Sequence, residues 1–377
     1  MSSDARQTGK GKLLFVIKGL AAGAGGAEKV LVTLLNQIAD RFDLVLVTFD
    51  KKGAESFYPL DARVKWLRSP LGDPRAPTRP TNFFRKIRAL KQVIVQEKPD
   101  LAIGFMHSSF ILLAFACIGN RLPVVASEHI VMDHYRSRPA QFLLWCFACL
   151  RVQKVVFVGK NIPQDFPQLF SDRYTVIPNP IDLEGFSDGP TERKPIILSV
   201  GRLEPQKNLA LLMEAFSDLV SDFPHYELRV VGDGSEREQL ESLAGRLGIL
   251  SKTHFLGRIS TVKQEYERAE IFAIPSLYES FGLVAAEAMY AELPVVALKE
   301  CPGLSAFLVD RENALLVYKE KGHQGFSDAL RKLAEDKTLR ERLGENGKKR
   351  VLAMPNDDAI IEMWIELFEG LSPAIVG

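Results

Sequence analysis

The chain has 377 residues, of which 46% are hydrophobic and 25% charged, with mean hydropathy near zero. That composition excludes a disordered or fibrous protein and leaves enough chain for two or three domains, each with its own core. Four cysteines exclude a disulfide framework, no apolar run reaches the roughly 18 residues of a membrane span, and the net charge of +1 hides an asymmetry of +10 over residues 1–183 against −9 over the remainder. A basic N-terminal half suits an anionic surface or a phosphate-rich ligand, and a reducing, cytoplasmic setting is expected.

Residues 1–11, MSSDARQTGKG, are polar and read as a disordered N-terminus. Lys12–Gly19 is an apolar, β-rich strand, followed by a glycine-rich loop with Gly23, Gly25 and Gly26 and a helical pattern over Ala27–Ala39. Strands are predicted at Leu44–Phe49, Val64–Leu67, Asp100–Phe105, Pro123–Ser127 and Lys154–Val158. Helices are predicted at Asn82–Glu97 and Ser108–Ile118, and the short apolar run Phe142–Leu150 reads as a buried helix. Near residue 183 the pattern restarts after the proline-bearing linker Ile177–Asp182. Lys194–Val200 is a fresh strand and Asn208–Val220 a helix, then come strands at Tyr226–Val231, His254–Leu256, Ile271–Ile274 and Pro294–Val296. Ala359–Leu371 closes the chain as an amphipathic helix. Strands alternating with helices mean parallel βαβ units, so the fold class is α/β with two Rossmann-like, doubly wound domains. Such sheets bind ligands outside the carboxyl ends of their strands.

The segment Pro275–Glu287, PSLYESFGLVAAE, follows an apolar strand and opens a helix near Phe281. Unpaired amides and a partial positive charge at a helix entry suit a diphosphate or a sugar oxygen, and Gly282 lets the backbone come close. Glu279 precedes the helix and Glu287 lies inside it, about a turn deeper at a rise of about 1.5 Å per residue. One carboxylate can face a sugar and the other a nucleoside. In VGRLEPQKN (200–208), Arg202 and Lys207 follow a strand end and can clamp a diphosphate leaving group. VGDG (231–234) is a strand-end turn that can border a nucleotide. In the N-terminal half the glycine loop, with Asp50 at the end of the next strand, resembles a dinucleotide fingerprint, but its spacing is not G-x-G-x-x-G. A nicotinamide-dependent oxidoreductase is therefore the alternative from another class. His129 and His107 each lie just past a predicted strand. Cys146 and Cys149 form C-x-x-C inside the apolar run LLWCFACL, and neither they nor any D-x-D motif suggests a metal site. Arg75, Arg79, Arg85, Lys86, Arg88 and Lys91 surround Phe83, Phe84, Ile87, Leu90 and Ile94, a basic amphipathic pattern that fits an anionic membrane surface.

Taken in order, GGAE (25–28), SEH (127–129), PNPID (178–182), VGRLEPQKN (200–208), VGDG (231–234), FLG (255–257) and the E-x7-E pair (279–287) resemble glycosyltransferase family 4, the retaining GT-B enzymes. The resemblance implies two facing domains: an acceptor-binding domain over 12–183 and a nucleotide-sugar-binding domain over 184–355. A C-terminal helix in 356–377 would pack back toward the first. It implies that Arg202 and Lys207 hold the donor diphosphate, Glu287 the ribose and Glu279 the transferred sugar. Phe281, Gly282 and Leu283 would offer amides to sugar and phosphate. Gly25 and Gly26 would approach the phosphates, Gly232 would border the nucleotide, and Leu256 and Arg258 would border the base. His129 would contact the sugar near the reaction centre. The implied reaction is retaining and needs no metal or other cofactor. A hexose or N-acetylhexosamine moves from a nucleotide sugar, a UDP-sugar by family frequency and GDP-mannose as alternative, to a saccharide acceptor. Members with GGAE and SEH often extend lipid-diphosphate-linked glycans on the cytoplasmic membrane face. A peripheral enzyme of cell-surface glycan synthesis is expected, with no nucleic-acid partner.

Overall fold

The computed structural model describes residues 10–21, 25–69, 71, 80–186, 192–259 and 262–372. The chain divides into two compact units, Met1–Pro180 with Asp357–Gly377, and Ile181–Asn356.

In the first unit seven strands are joined in the order β3-β2-β1-β4-β5-β6-β7. They are β1 (Lys12–Val16), β2 (Asp43–Thr48), β3 (Lys65–Arg68), β4 (Leu101–Phe105), β5 (Val124–Glu128), β6 (Lys154–Phe157) and β7 (Tyr174–Val176). Every pairing is parallel. Strands covered on both faces read as near-continuous apolar runs rather than alternating: β4 (LAIGF) and β5 (VVASE) are buried at every position, with Ser127 and Glu128 the polar exceptions at the end of β5. The helix Asp357–Leu371 belongs to this unit: Trp364 stacks on Phe105 at 5.9 Å, and Phe368 meets Phe15 and Phe42 edge-on at 6.1 and 6.3 Å. These aromatic contacts, each worth about 0.5–1.5 kcal/mol beyond area burial, hold the last helix to the sheet. The exposed Arg41–Glu362 pair adds little.

The second unit carries six strands: β8 (Ile196–Val200), β9 (Glu227–Val231), β10 (Thr253–Gly257), β11 (Ile271–Ile274), β12 (Val295–Leu298) and β13 (Ala314–Val317). They run in the order β10-β9-β8-β11-β12-β13, again all parallel. One face is closed by Leu209–Asp222, whose Leu212, Met213, Phe216 and Leu219 enter a core shared with Leu228, Val230 and Phe326.

Two sequence expectations are corrected here. The helix Pro80–Glu97 turns Lys86, Leu90 and Ile94, spaced four apart, into the unit, so Lys86 is only 3% exposed and its ammonium lies 4.4 Å from the Phe49 ring. Burial, reinforced by Lys18, pushes its pKa down. Lys86 therefore leaves the basic outer face, which keeps Arg85, Arg88 and Lys91 beside Phe84, itself 72% exposed. Arg75 and Arg79 lie outside the described residues, as does Gly23. The second correction concerns Pro139–Arg151, the helix read as buried. It buries Trp145, Ala148 and Cys149 but leaves Leu143, Phe147 and Leu150 on an exposed stripe, with Leu143 at 69%. Phe147 stacks on Phe115 at 4.6 Å, and Phe115 meets Phe83 at 5.5 Å, so this apolar surface runs on to the basic helix. No described helix is long and apolar enough to cross a membrane.

Candidate functional site

In each unit the strand order reverses between the first strand and the fourth, β1/β4 and β8/β11, which is where open α/β sheets form a crevice. In the second unit the loops after β8 and β11 meet there. Past β8, Pro205–Lys207 makes one 3-10 turn, and Asn208, at φ 52°, starts the helix Leu209–Asp222. Past β11, residues 275–282 lead to the helix Leu283–Tyr290. Three bonds tie the loops together: the Leu277 amide donates to the Gln206 carbonyl at 2.9 Å, Gln206 Nε2 to the Tyr278 carbonyl at 2.6 Å, and Asn208 Nδ2 to the Pro275 carbonyl at 3.2 Å.

This frame brings Lys207 Nζ within 2.5 Å of Glu279 Oε1, with both side chains largely buried. Out of water the attraction is strengthened, and each group would be costly to leave unpaired. Arg202 is exposed beside them and lines the same small cavity as Lys207 and Ser276. The Ser276 hydroxyl is fully buried with no hydrogen-bond partner among the described residues, a donor into the cavity that the sequence reading passed over. Gly282 caps the following helix at φ 85°, a left-handed conformation that strains any side chain and favours glycine. The first amides of that helix, from Phe281, Gly282 and Leu283, lie at its positive end.

Glu287 is buried on the second turn and accepts a hydrogen bond from the Tyr266 hydroxyl at 3.0 Å. Burial and the Glu287 carboxylate push the Tyr266 pKa well up, so the phenol stays a neutral donor. Tyr266 was not singled out from the sequence, where it sits in an ordinary helical run. If Glu287 holds a donor hydroxyl, Tyr266→Phe should raise the donor KM about ten- to a hundredfold, the usual range for one lost hydrogen bond to a charged group, and leave kcat nearly unchanged. Initial-rate kinetics against donor concentration read both.

Gly232 follows β9 at φ 132°, and its amide donates to the Gly257 carbonyl at 2.8 Å. Leu256 is half-buried in β10, and Arg258 is exposed just past it.

In the first unit Gly25 caps the helix that Gly26 opens, after β1. Asp50 is buried and its carboxylate accepts the Leu20 amide at 2.8 Å, which ties the loop after β1. His129, past β5, is 8% exposed, stacks on Phe105 at 5.3 Å, and shares a 2.9 Å bond between Nε2 and Ser127 Oγ. Burial lowers its pKa to about 4, so the ring is neutral and Nδ1 is the nitrogen left for a ligand. His107 opens the helix after β4 and is also buried. Cys149 is buried and Cys146 half-buried; among the described residues no group of three His, Cys, Asp or Glu side chains could hold a metal.

Glu128, the middle residue of SEH and the last of β5, is wholly buried. Its Oε2 accepts from Tyr135 Oη at 2.7 Å and Trp145 Nε1 at 2.9 Å. Burial dominates these bonds and raises its pKa from 4.5 to about 7. An acid raised on folding binds more protons folded than unfolded between those values. It therefore contributes stability below pH 4.5 that is lost as pH rises through 7. The full span is worth on the order of 3 kcal/mol. Glu128→Gln keeps an acceptor for both donors and should flatten the fall in melting temperature between pH 5 and pH 8. An unchanged slope would remove this role.

The family model described as glycosyltransferase family 4 matches residues 24–184, and that described as glycosyl transferases group 1 matches residues 182–350. The chain is 28% identical to a Campylobacter jejuni GalNAc-alpha-(1->4)-GalNAc-alpha-(1->3)-diNAcBac-PP-undecaprenol alpha-1,4-N-acetyl-D-galactosaminyltransferase, over 90% of this chain and 93% of the relative. In fold it resembles a sucrose-phosphate synthase from Thermosynechococcus elongatus, with TM-score 0.84, 20% identity and coverage of 96% and 99% of the two chains. It also resembles Anabaena HepE in complex with UDP and glucose, with TM-score 0.77, 19% identity and coverage of 96% and 100%. The matched models, the two doubly wound sheets and the loops at their switch points agree: the chain is a transferase of the GT-B fold and belongs to the group 1, family 4 glycosyltransferases, related to bacterial enzymes that extend lipid-linked saccharides.

Proposed function

We propose that the chain moves a hexose or N-acetylhexosamine from a UDP-sugar to a saccharide carried on a lipid diphosphate, with retention of anomeric configuration and without a metal. The observation that carries this reading is the buried Lys207–Glu279 pair beside Arg202 and the entry of the helix Leu283–Tyr290. Lys207, Arg202 and the helix-entry amides stabilise the departing diphosphate, Glu279 orients the sugar while fixing Lys207, and Glu287 holds the ribose. The neutral His129 offers Nδ1 to the sugar, and Gly25 and Gly26 let the backbone of the first unit approach the phosphates. Gly232, Leu256 and Arg258 border the nucleotide. The acceptor hydroxyl attacks from the face that the diphosphate leaves, and a leaving-phosphate oxygen takes its proton. Support for the acceptor comes from relatives named as acting on diphospho-undecaprenol saccharides, and for the donor from the UDP in the HepE structure.

The test is incubation with UDP-sugars and a bacterial lipid extract in excess EDTA, reading UDP release and the anomeric configuration of the product by NMR. Inversion, or a requirement for a divalent cation, overturns that part of the reading.

The enzyme works as a peripheral protein on the cytoplasmic face of an anionic membrane. The exposed Arg85, Arg88 and Lys91, with Phe84, supply charge and an apolar contact, each cation worth about 1 kcal/mol near such a surface. Neutralising the three should cut flotation with phosphatidylglycerol vesicles by at least tenfold. Undiminished flotation, or none by the native protein, removes this part.

A further inference from the structure

Ser276 stands two residues past β11, in the loop that carries Glu279, and two hydrogen bonds set it opposite Lys207. The carbonyl of Pro275, just before it, accepts from Asn208 Nδ2 at 3.2 Å, and the amide of Leu277, just after it, donates to the Gln206 carbonyl at 2.9 Å. Residues 275 and 277 are thus tied to 208 and 206, and the residues between, Ser276 and Lys207, line one cavity from its two sides. Lys207 lies along the bare face of Gly201: a Cβ there would meet its Cε at 3.2 Å and its Nζ at 3.5 Å. The ammonium is therefore turned back over the end of β8, toward that cavity.

The walls of the cavity include Ser199, Gly201, Arg202 and Ile274, and its volume of about 10 Å³ admits one water and excludes a phosphate. The Ser276 side chain is fully buried, and its hydroxyl has no hydrogen-bond partner among the described residues. A buried hydroxyl left without a partner costs about 1–3 kcal/mol, a cost that alanine at the same place would not carry. Its presence beside the ammonium points to a small ligand that both groups share. Of the three N–H donors of Lys207, one goes to Glu279 at 2.5 Å. The flexible stem of a lysine does not by itself fix where the other two point.

We propose that Ser276 is a positioning residue for Lys207, acting through one ordered water held in this cavity. The water accepts from the Lys207 ammonium and exchanges a hydrogen bond with the Ser276 hydroxyl, and the buried Ser199 is its third polar neighbour. With one donor on Glu279 and a second on the water, the third N–H is aimed out of the cavity, where the departing diphosphate gathers charge. This rests on the glycosyltransferase reading above. A donor already aimed needs no reorganisation at the moment of reaction, so the effect falls on kcat rather than on binding of the donor.

Crystals of the full chain without nucleotide, diffracting well enough to show ordered water, read the site itself. One water should lie within hydrogen-bond distance of both Ser276 Oγ and Lys207 Nζ, and its absence overturns the proposal whatever the enzyme transfers. Initial rates with a UDP-sugar then compare wild type, Ser276→Ala, Lys207→Ala and the double variant. Ser276→Ala should lower kcat about two- to tenfold, the range for one neutral hydrogen bond, with the donor KM unchanged and a melting temperature no lower than that of the wild type. In the Lys207→Ala background the same substitution should cost no further rate, because its effect passes through the ammonium. A wild-type kcat in Ser276→Ala, or a further loss in the double variant, overturns the role. So does a lowered melting temperature with a raised KM, which marks a purely structural serine. Absence of transfer from every UDP-sugar removes the function proposed above, and the crystallographic result is read independently of it.

Discussion

Lys207→Ala is expected to slow sugar transfer about a hundred- to a thousandfold, the loss that follows removal of one preorganised charge from a developing anion. The same substitution strands Glu279, whose carboxylate is buried at 2.5 Å from the ammonium it would lose. Breaking a buried pair costs about 3–5 kcal/mol, and the second unit should melt lower by about 6–15 °C. The two effects separate in Lys207→Ala/Glu279→Gln. Removing the stranded charge should recover most of the melting temperature but none of the rate, because the diphosphate still lacks its cation. A Lys207→Ala enzyme with full transfer rate would contradict the leaving-group role. A double variant that recovers rate along with stability would show that Lys207 serves the fold alone.

Gly232→Ala should be the most damaging small substitution in the second unit. A Cβ at this position would lie 1.8 Å from the Gly201 carbonyl oxygen, backbone against backbone, and the residue sits at φ 132°. Neither neighbour is a flexible chain end, so β8 and β9 must part where Arg202 and the nucleotide-bordering turn begin. Overpacking of about 1–3 kcal/mol and backbone strain of about 1–3 kcal/mol add here. Hydrogen exchange should accelerate over β8, β9 and β10 and stay unchanged over β1, β4 and β5, with UDP binding weakened in parallel. Wild-type exchange in the second unit would refute this reading of Gly232.

The architecture was legible because strands buried on both faces are continuous apolar runs, and LLFV, LVLV, VVFV, IILSV and IFAI announce themselves. The edge strand Tyr174–Val176, half-buried throughout, and the strand Ala314–Val317, set in the polar run DRENALLVYKEK, escaped. So did the helices Gly322–Glu335 and Lys337–Leu352, whose many charged residues mask the few that reach the core. In the second unit the ordered motifs located the loops that meet at the switch point. The contacts inside those loops were not legible. The Lys207–Glu279 pair spans 72 residues, and the Tyr266–Glu287 bond joins a residue outside every motif to one inside. Lys86 was misplaced because a long cationic side chain counts as surface in any pattern, although its position four residues before Leu90 puts it on the buried stripe. Leu143, Phe147 and Leu150 failed in the opposite direction: apolar residues read as core, while Trp145 and Cys149 took the inward face.

The proposed sugar transfer requires the second unit to bind a uridine nucleotide through Glu287, Arg202 and Lys207. Thermal denaturation of the full chain with UDP, GDP and ADP, each for wild type and Glu287→Ala, tests that directly. UDP at about a hundred times its Kd should stabilise the wild type by about 2.7 kcal/mol, a rise of several degrees. GDP and ADP should do much less, and Glu287→Ala should lose most of the response. No shift with any nucleotide, or a Glu287→Ala protein that responds to UDP as the wild type does, would contradict it.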